Sequence, residues 1–203
     1  MARRSDHSRE ELYELAMQAA RRIVEVDGFR GLTARNVADA IGYSPGTLYN
    51  VFENLDDMIV HLNGRTLDEL HAALAFASLK GDPTSDIRLL LDVYLGYLEK
   101  HPHLWKMLFE FSLPDGRELP DWYELKVSKV LGLVEKALAP LFTADEVQEK
   151  RNAASVLWAG LHGICSLSDT GKLQVVTTQS VPDMAESLTT NFIAGLSAIR
   201  KEH

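Results

Sequence analysis

Apolar residues recur at steps of three and four along nearly the whole chain, and few stretches alternate with the period of a strand. That pattern predicts an all-α protein of about nine helices and no sheet. The first helix opens at Ser8, with Glu11 at capping-box spacing, and carries the stripe Leu12, Ala16, Ala19, Ile23 and Val26 to a stop at Gly28. Two short pieces follow, Thr33 to Ala40 and Ser44 to Phe52, separated by Gly42. A long helix is expected from Asn54 to Leu79, and another, capped by Thr84 or Ser85, through Leu98. Leu104 to Phe111 reads as a short apolar helix, and Asp121 to Ala139 as a further one ended by Pro140. Thr143 with Glu146 makes a second capping-box spacing ahead of a helix through Leu167. Asp169 to Ser180, polar and β-branched, reads as a loop before a last helix from Pro182 or Asp183 through Ile199.

Charge narrows the partners. The 203 residues carry a net charge of −8, which by itself argues against a polyanion as partner. Its distribution is uneven, because residues 1–52 hold seven Lys/Arg and seven Asp/Glu, so the whole acidic excess lies beyond residue 52. Only the first quarter can approach a nucleic acid without broad repulsion. The opening stretch, with Arg3 and Arg4 followed by Glu10, Glu11 and Glu14, does not read as a signal peptide. The longest uncharged run, Asn152 to Ser168, is short for a membrane span and contains His162 and serines, so a buried helix and a soluble, cytoplasmic protein with no membrane partner are expected. The single cysteine, Cys165, excludes an intrachain disulfide.

Residues 34–53 have the spacing of a helix-turn-helix. Ala38 is small enough for a closely crossing partner helix, Gly42 suits a tight turn, and Leu48 returns an apolar side chain to a core shared with Val37, Ile41 and Val51. Thr33 can cap the first helix and Ser44 the second, with Pro45 at its first position. The pattern alone also suits two core helices joined by a glycine turn. The wider stretch, Gly28-Phe29-Arg30-Gly31-Leu32-Thr33 leading in and Thr47-Leu48-Tyr49 with Phe52 leading out, resembles the tetracycline-repressor-like (TetR) family of bacterial transcriptional regulators.

The resemblance implies a homodimer that binds a palindromic double-stranded DNA operator, most often as a repressor, and releases it in response to a ligand. It assigns 8–53 to DNA binding, 54–80 to a connecting helix and 81–203 to ligand binding and dimerisation. Thr33 is implied as cap and phosphate contact, Arg35 as a contact to a base edge or backbone, and Ser44, Pro45, Gly46, Thr47, Tyr49 and Asn50 as the exposed face of the recognition helix. Thr47 and Tyr49 suit phosphate contacts, Asn50 can pair with adenine, and Tyr43 and Pro45 can meet a thymine methyl. The family commonly carries a lysine where Leu55 stands, so phosphate anchoring is expected to fall on Arg3, Arg4, Arg9 and helix N-termini.

On the last helix, Val181, Ala185, Leu188, Phe192, Gly195 and Ile199 form a heptad-like seam. Together with Ala154 and Leu161, the residues Leu188, Phe192, Gly195 and Ile199 are expected at a dimer interface, although packing within one chain would give the same pattern. The string from Trp158 through His162 to Gly163 resembles a carboxy-terminal subtype of the family named for a Trp-His-Gly motif. Tyr94, Tyr97, Trp105, Phe109, Trp122, Trp158 and His162 are the candidates to line a cavity for an apolar or aromatic effector, as the family resemblance implies, against the plainer reading that they are core. The pairs His162/Cys165 and His101/His103 have ligand-like spacing, yet two ligands do not make a site, and neither a metal nor a cofactor is expected. Phosphate loops, nucleophile elbows and zincin pairs are absent from the sequence, so a catalytic residue is not assigned and an enzyme is not expected. A small-molecule-binding helical protein and an all-α enzyme of another kind stay as the competing readings.

Overall fold

A computed structural model describes residues 7–201. Ten α-helices follow in order: α1 Arg9–Asp27, α2 Ala34–Ile41, α3 Pro45–Leu48, α4 Leu55–Ala75, α5 Pro83–Lys100, α6 Pro102–Glu110, α7 Asp121–Leu138, α8 Val147–Asp169, α9 Leu173–Val176 and α10 Val181–Lys201. Single 3-10 turns lie at Phe29–Gly31 and Ala139–Leu141, and no strand occurs among the described residues. The all-α class is what the periodicity requires.

The chain divides into two compact units, one of Met1–Glu69 with Leu98–Lys126, the other of Leu70–Tyr97 with Val127–His203. The first division falls inside α4, and the unit that holds residues 8–53 also takes in α6 and the start of α7.

In the first unit, α1 begins with a complete capping box. The Glu11 amide donates to Ser8 Oγ at 3.2 Å, and the Ser8 amide donates to a Glu11 carboxylate oxygen at 2.7 Å. The Ser8 amide also holds the Glu11 carboxyl below the ordinary glutamate range. Gly28 ends the helix at φ +71°, a conformation that favours glycine. The expected stripe does not stay inward to its end, because Ile23 is half-buried and Val26 is 70% exposed. Strict steps of four and three average 3.5 residues, so the stripe drifts about 20° per heptad around a 3.6-residue helix. Met17, Ala20 and Val24 take over the buried side. They join Val37, Ala38, Leu48, Phe52, Met58, Leu62, Leu104 and Met107 in one core.

The second unit holds the α8–α10 pair. A Cβ added at Gly160 would lie 2.8 Å from Leu188 Cδ2, so the missing side chain is what allows Leu188 to lie so close. Helix α4 ends at Ala75, short of the expected Leu79, α6 begins at Pro102 rather than Leu104, α10 begins at Val181, and two caps differ from expectation. Thr143 does not cap α8: its amide and hydroxyl both donate to the Glu146 carboxylate, at 2.8 and 2.9 Å, closing a turn that ends before the helix begins at Val147. At α5, Asp82 rather than Thr84 or Ser85 accepts the first-turn amide, from Ser85 at 2.9 Å. Asp86, 2% exposed, accepts the amides of Lys80 and Gly81 at 2.7 and 2.8 Å, which removes the cost of burying a carboxylate. The stretch expected as loop before α10 contains one helical turn, α9, anchored by buried Leu173. Ser180 and Asp183 form a reciprocal box at the start of α10.

Candidate nucleic-acid interface

Thr33 caps α2, its Oγ1 accepting the Asn36 amide at 3.1 Å. Gly42 follows the helix in the left-handed conformation, φ +75° and ψ +27°, and the Tyr43 amide closes back onto Ala38 at 2.9 Å. Any other residue at Gly42 would carry its Cβ into a strained backbone. Val37, Ala38 and Leu48 are fully buried between the two helices, with Ile41 and Val51 half-buried beside them.

The second helix is shorter than its sequence suggests. Helix α3 spans Pro45–Leu48, and the chain continues to Val51 through bonds from the Asn50 amide to the Thr47 carbonyl and from the Val51 amide to the Leu48 carbonyl, at 3.2 and 3.0 Å, before the Phe52 amide reaches the same Leu48 carbonyl at 3.0 Å. The first two close turns over three residues rather than four. Ser44 precedes Pro45 but makes no side-chain cap; its Oγ lies 2.9 Å from Thr47 Oγ1. The local geometry thus spends the Ser44 hydroxyl on Thr47 and leaves the first amides of α3 unoccupied by a side chain from Ser44.

One exposed surface results. Ser44, Pro45, Gly46, Tyr49 and Asn50 are exposed, and Thr47 and Tyr43 are half-buried. Gly46 is not required by the fold, because a Cβ there would meet nothing nearer than Ser44 Oγ at 3.9 Å. Tyr49 keeps 49% of its surface open at the end of α3. Thr33 and Arg35 are exposed on α2 and its cap, with Arg35 Nε only loosely paired, 3.9 Å from Asp39. Phe52 is buried, and Leu55, which opens α4, packs against the same core. Arg9 is exposed at the start of α1, while Arg3 and Arg4 lie outside the described residues.

The candidates for ligand lining do not come together. A cavity of about 40 Å³ in the second unit is lined by Tyr94 and Trp158 among aliphatic side chains, namely Leu74, Ile87, Leu90, Leu91, Val130, Val134, Leu157 and Leu161. Tyr97 is buried in the same unit but is not part of that lining. Trp105 and Phe109 belong to the first unit, where their rings meet at 5.1 Å. Trp122 is there too, stacked on His61 at 5.1 Å over Gly64, whose Cβ would fall 2.7 Å from the indole. His162, not among the lining residues, stacks in parallel on Trp158 at 5.4 Å, and burial lowers its pKa. Burial likewise pushes the Cys165 thiol up to about 11, which disfavours the reactive thiolate.

The expected interface residues divide as well. Ala154 is fully buried within the chain, and Leu188 lies against Gly160 of its own α8. Leu161 lines the cavity and Phe192 is half-buried, whereas Gly195 and Ile199 are exposed. The opposite face of α8 leaves Val156, Ala159 and Leu167 exposed and Gly163 half-buried. Of the histidines with ligand-like spacing, His103 Nδ1 lies 3.0 Å from the Glu25 carbonyl and His101 Nδ1 3.5 Å from the Glu25 carboxylate. No group of three potential metal ligands occurs among the described residues.

Two short helices at a glycine turn, crossing over buried Ala38 and Leu48 and presenting one polar face, define a helix-turn-helix protein. Residues 16–62 match the family described as bacterial regulatory proteins, tetR family, and residues 87–192 match the tetracyclin repressor-like C-terminal domain. An uncharacterized HTH-type transcriptional regulator of Mycobacterium tuberculosis is 23% identical over 182 residues, covering 89% of this chain and 79% of that protein. A solved protein of unknown function from Rhodococcus sp. RHA1 has a TM-score of 0.73 at 19% identity, covering 96% of this chain and 99% of its own. A TetR transcriptional regulator from the same organism has a TM-score of 0.68 at 17% identity, over 93% and 97%. The chain belongs to the TetR family of bacterial regulatory proteins. It is a DNA-binding transcriptional regulator, not an enzyme. No helix among the described residues is long and apolar enough to cross a membrane.

Proposed function

We propose that this regulator is a cytoplasmic homodimeric repressor that reads a palindromic operator and leaves it when an apolar effector enters the second unit. The observation that carries the reading is the polar face of Ser44, Pro45, Gly46, Tyr49 and Asn50, held out by the burial of Leu48. Thr33, Arg35, Thr47 and Tyr49 supply phosphate contacts, and the absence of a side chain at Gly46 admits close approach of the duplex. Asn50 offers a paired donor and acceptor suited to adenine, and the Tyr43 and Pro45 rings offer apolar contact to thymine. A palindrome follows from two-fold symmetry, with the exposed faces of α8 (Val156, Ala159, Leu167) and α10 (Gly195, Ile199) as the surfaces that meet.

Selection from a random duplex library should enrich an inverted repeat. On that sequence Asn50→Ala should relax preference at one base pair per half-site, by about 1–3 kcal/mol. Tyr49→Ala should instead weaken all duplexes alike, as expected for a backbone contact. Unchanged binding by both variants would remove α3 from the interface.

The effector is uncharged and apolar, because the cavity lining offers no ionised group and only two side chains with a polar atom. About 40 Å³ holds little more than water-sized contents, on a scale where one water needs roughly 10–15 Å³. An effector must therefore spread the lining, including Leu74 of α4, the helix that also gives Met58 and Leu62 to the helix-turn-helix core. Displacing α4 changes the placement of the two motifs, which must meet major-groove faces about 34–36 Å apart or a multiple of that. By linkage, a tenfold loss of operator affinity requires about 1.4 kcal/mol of preference for the expanded state. In a Trp105→Phe, Trp122→Phe background, uncharged aliphatic and aromatic ligands should shift Trp158 fluorescence and release the operator together, while carboxylate analogues do neither. Fluorescence shifts with operator binding intact would refute the coupling and leave the DNA reading in place.

A further inference from the structure

We propose that His61 positions the recognition helix without touching DNA, a role that rests on the recognition-helix reading above. Its imidazole ties Tyr13 of α1 and Asp57 of α4 to the residues that end the recognition segment. His61 stands half-buried in the second turn of α4. Its Nδ1 lies 3.1 Å from the Tyr13 hydroxyl, and its Nε2 lies 3.5 Å from Asp57 Oδ1. The other carboxylate oxygen, Asp57 Oδ2, accepts the Glu53 amide at 3.0 Å, and the Asp57 amide donates to Asn54 Oδ1 at 2.9 Å. Glu53 follows Phe52, whose amide returns to the Leu48 carbonyl of α3 at 3.0 Å. One carboxylate therefore joins the imidazole to the backbone that leaves the recognition helix.

The surrounding rings hold the imidazole in this orientation. Trp122 of α7 stacks on it at 5.1 Å, and Tyr13 meets it edge-on at 5.6 Å. Tyr13 also stacks on buried Phe52 at 5.2 Å, and Phe52 lies 6.2 Å from the imidazole. An ionised carboxylate only accepts, so Nε2 carries the hydrogen that faces Asp57 and Nδ1 accepts the Tyr13 O–H. Helix α3, with four helical residues, cannot fix its own orientation. Leu48 anchors it in the core, and its downstream end depends on where Phe52 and Glu53 are held. A small rotation of that end moves Asn50 off its base pair, whereas attraction to phosphates, being non-directional charge, survives it.

The test uses the full chain with two probes, a duplex enriched from a random library by the wild-type protein and a random-sequence duplex of equal length. His61→Ala should weaken the enriched duplex about three- to tenfold per half-site and leave the random duplex at wild-type affinity. A residue needed only for folding would weaken both alike. His61→Gln places an N–H where Nε2 stands and should restore the enriched duplex. His61→Asn reaches only the position of Nδ1 and should not. Asp57→Asn keeps an oxygen for the Glu53 amide but removes the charge facing His61, so it should reproduce the loss. The double variant His61→Ala/Asp57→Asn should lose no more than His61→Ala alone. Melting curves keep every measurement below the unfolding transition, and the Gln and Asn variants decide the matter should His61→Ala unfold. Wild-type binding of the enriched duplex by His61→Asn and Asp57→Asn, alongside altered base preference in Asn50→Ala, would overturn the proposal and leave the recognition helix standing. Equal losses on the two duplexes would overturn it as well, and additive losses in the double variant would overturn the route through Asp57. Wild-type behaviour of Asn50→Ala and Tyr49→Ala would instead remove the underlying reading.

Discussion

A chain carrying glutamate at both Val156 and Ile199 should sediment as a folded monomer and lose about a thousandfold in operator affinity, falling toward its sequence-independent binding. Both side chains are 61% exposed, on α8 and α10 respectively, so the carboxylates meet water in the isolated chain and cost the fold little. In the proposed dimer the same carboxylates would be buried without a partner, which is expensive. A monomer reaches one half-site only, and the second set of contacts is gone. Leu188→Glu should behave differently. Its carboxylate would be forced against Gly160 within the chain, so the α8–α10 pair should open and the thermal midpoint fall along with dimerisation. Sedimentation and melting of the two proteins side by side distinguish interface from core. An intact dimer in the Val156→Glu/Ile199→Glu protein would move the interface elsewhere.

Leu48→Ala should abolish operator binding at temperatures where the wild-type protein is folded. Leu48 is fully buried, and truncating such a leucine costs about 2–5 kcal/mol, including the cavity left behind. For a unit of this size that is a fall in midpoint on the order of 10 °C or more. The loss concentrates on α3, because four helical residues and two three-residue turns have no stability of their own. Tyr49→Ala, at the adjacent but exposed position, should leave the stability within about 0.5 kcal/mol of wild type while still weakening DNA binding. A Leu48→Ala protein that melts and binds as wild type would mean that α3 is held by something other than this side chain.

The helix-turn-helix was legible because its determinants are local. Thr33, Ala38, Gly42, Pro45 and Leu48 act within a few residues of one another through a cap, a close crossing, a left-handed turn, a fixed φ and one buried side chain. The α1 capping box was legible for the same reason, since Ser8 and Glu11 need only each other. Ser44 and Thr143 show where local reasoning fails: both have capping sequence context, but each hydroxyl bonds a side chain rather than a helix-starting amide.

Tertiary structure alone decided the rest. Periodicity says that a helix face is apolar without saying what covers it, so Leu188 and Ala154 could equally have met a second copy or their own neighbours. Within the chain, Gly160 lets Leu188 lie close and Ala154 is fully buried. The aromatic residues of the middle helices looked alike in sequence, yet Tyr94 and Trp158 line the cavity while Trp105 and Trp122 pack in the other unit. Tyr13 and His61 are 48 positions apart, and only the folded chain brings them within hydrogen-bond distance. Spacing along the chain fixes which side chains share a helix face. Which faces meet depends on how neighbouring helices rotate to fill space, and that is set by long-range packing of side-chain volumes.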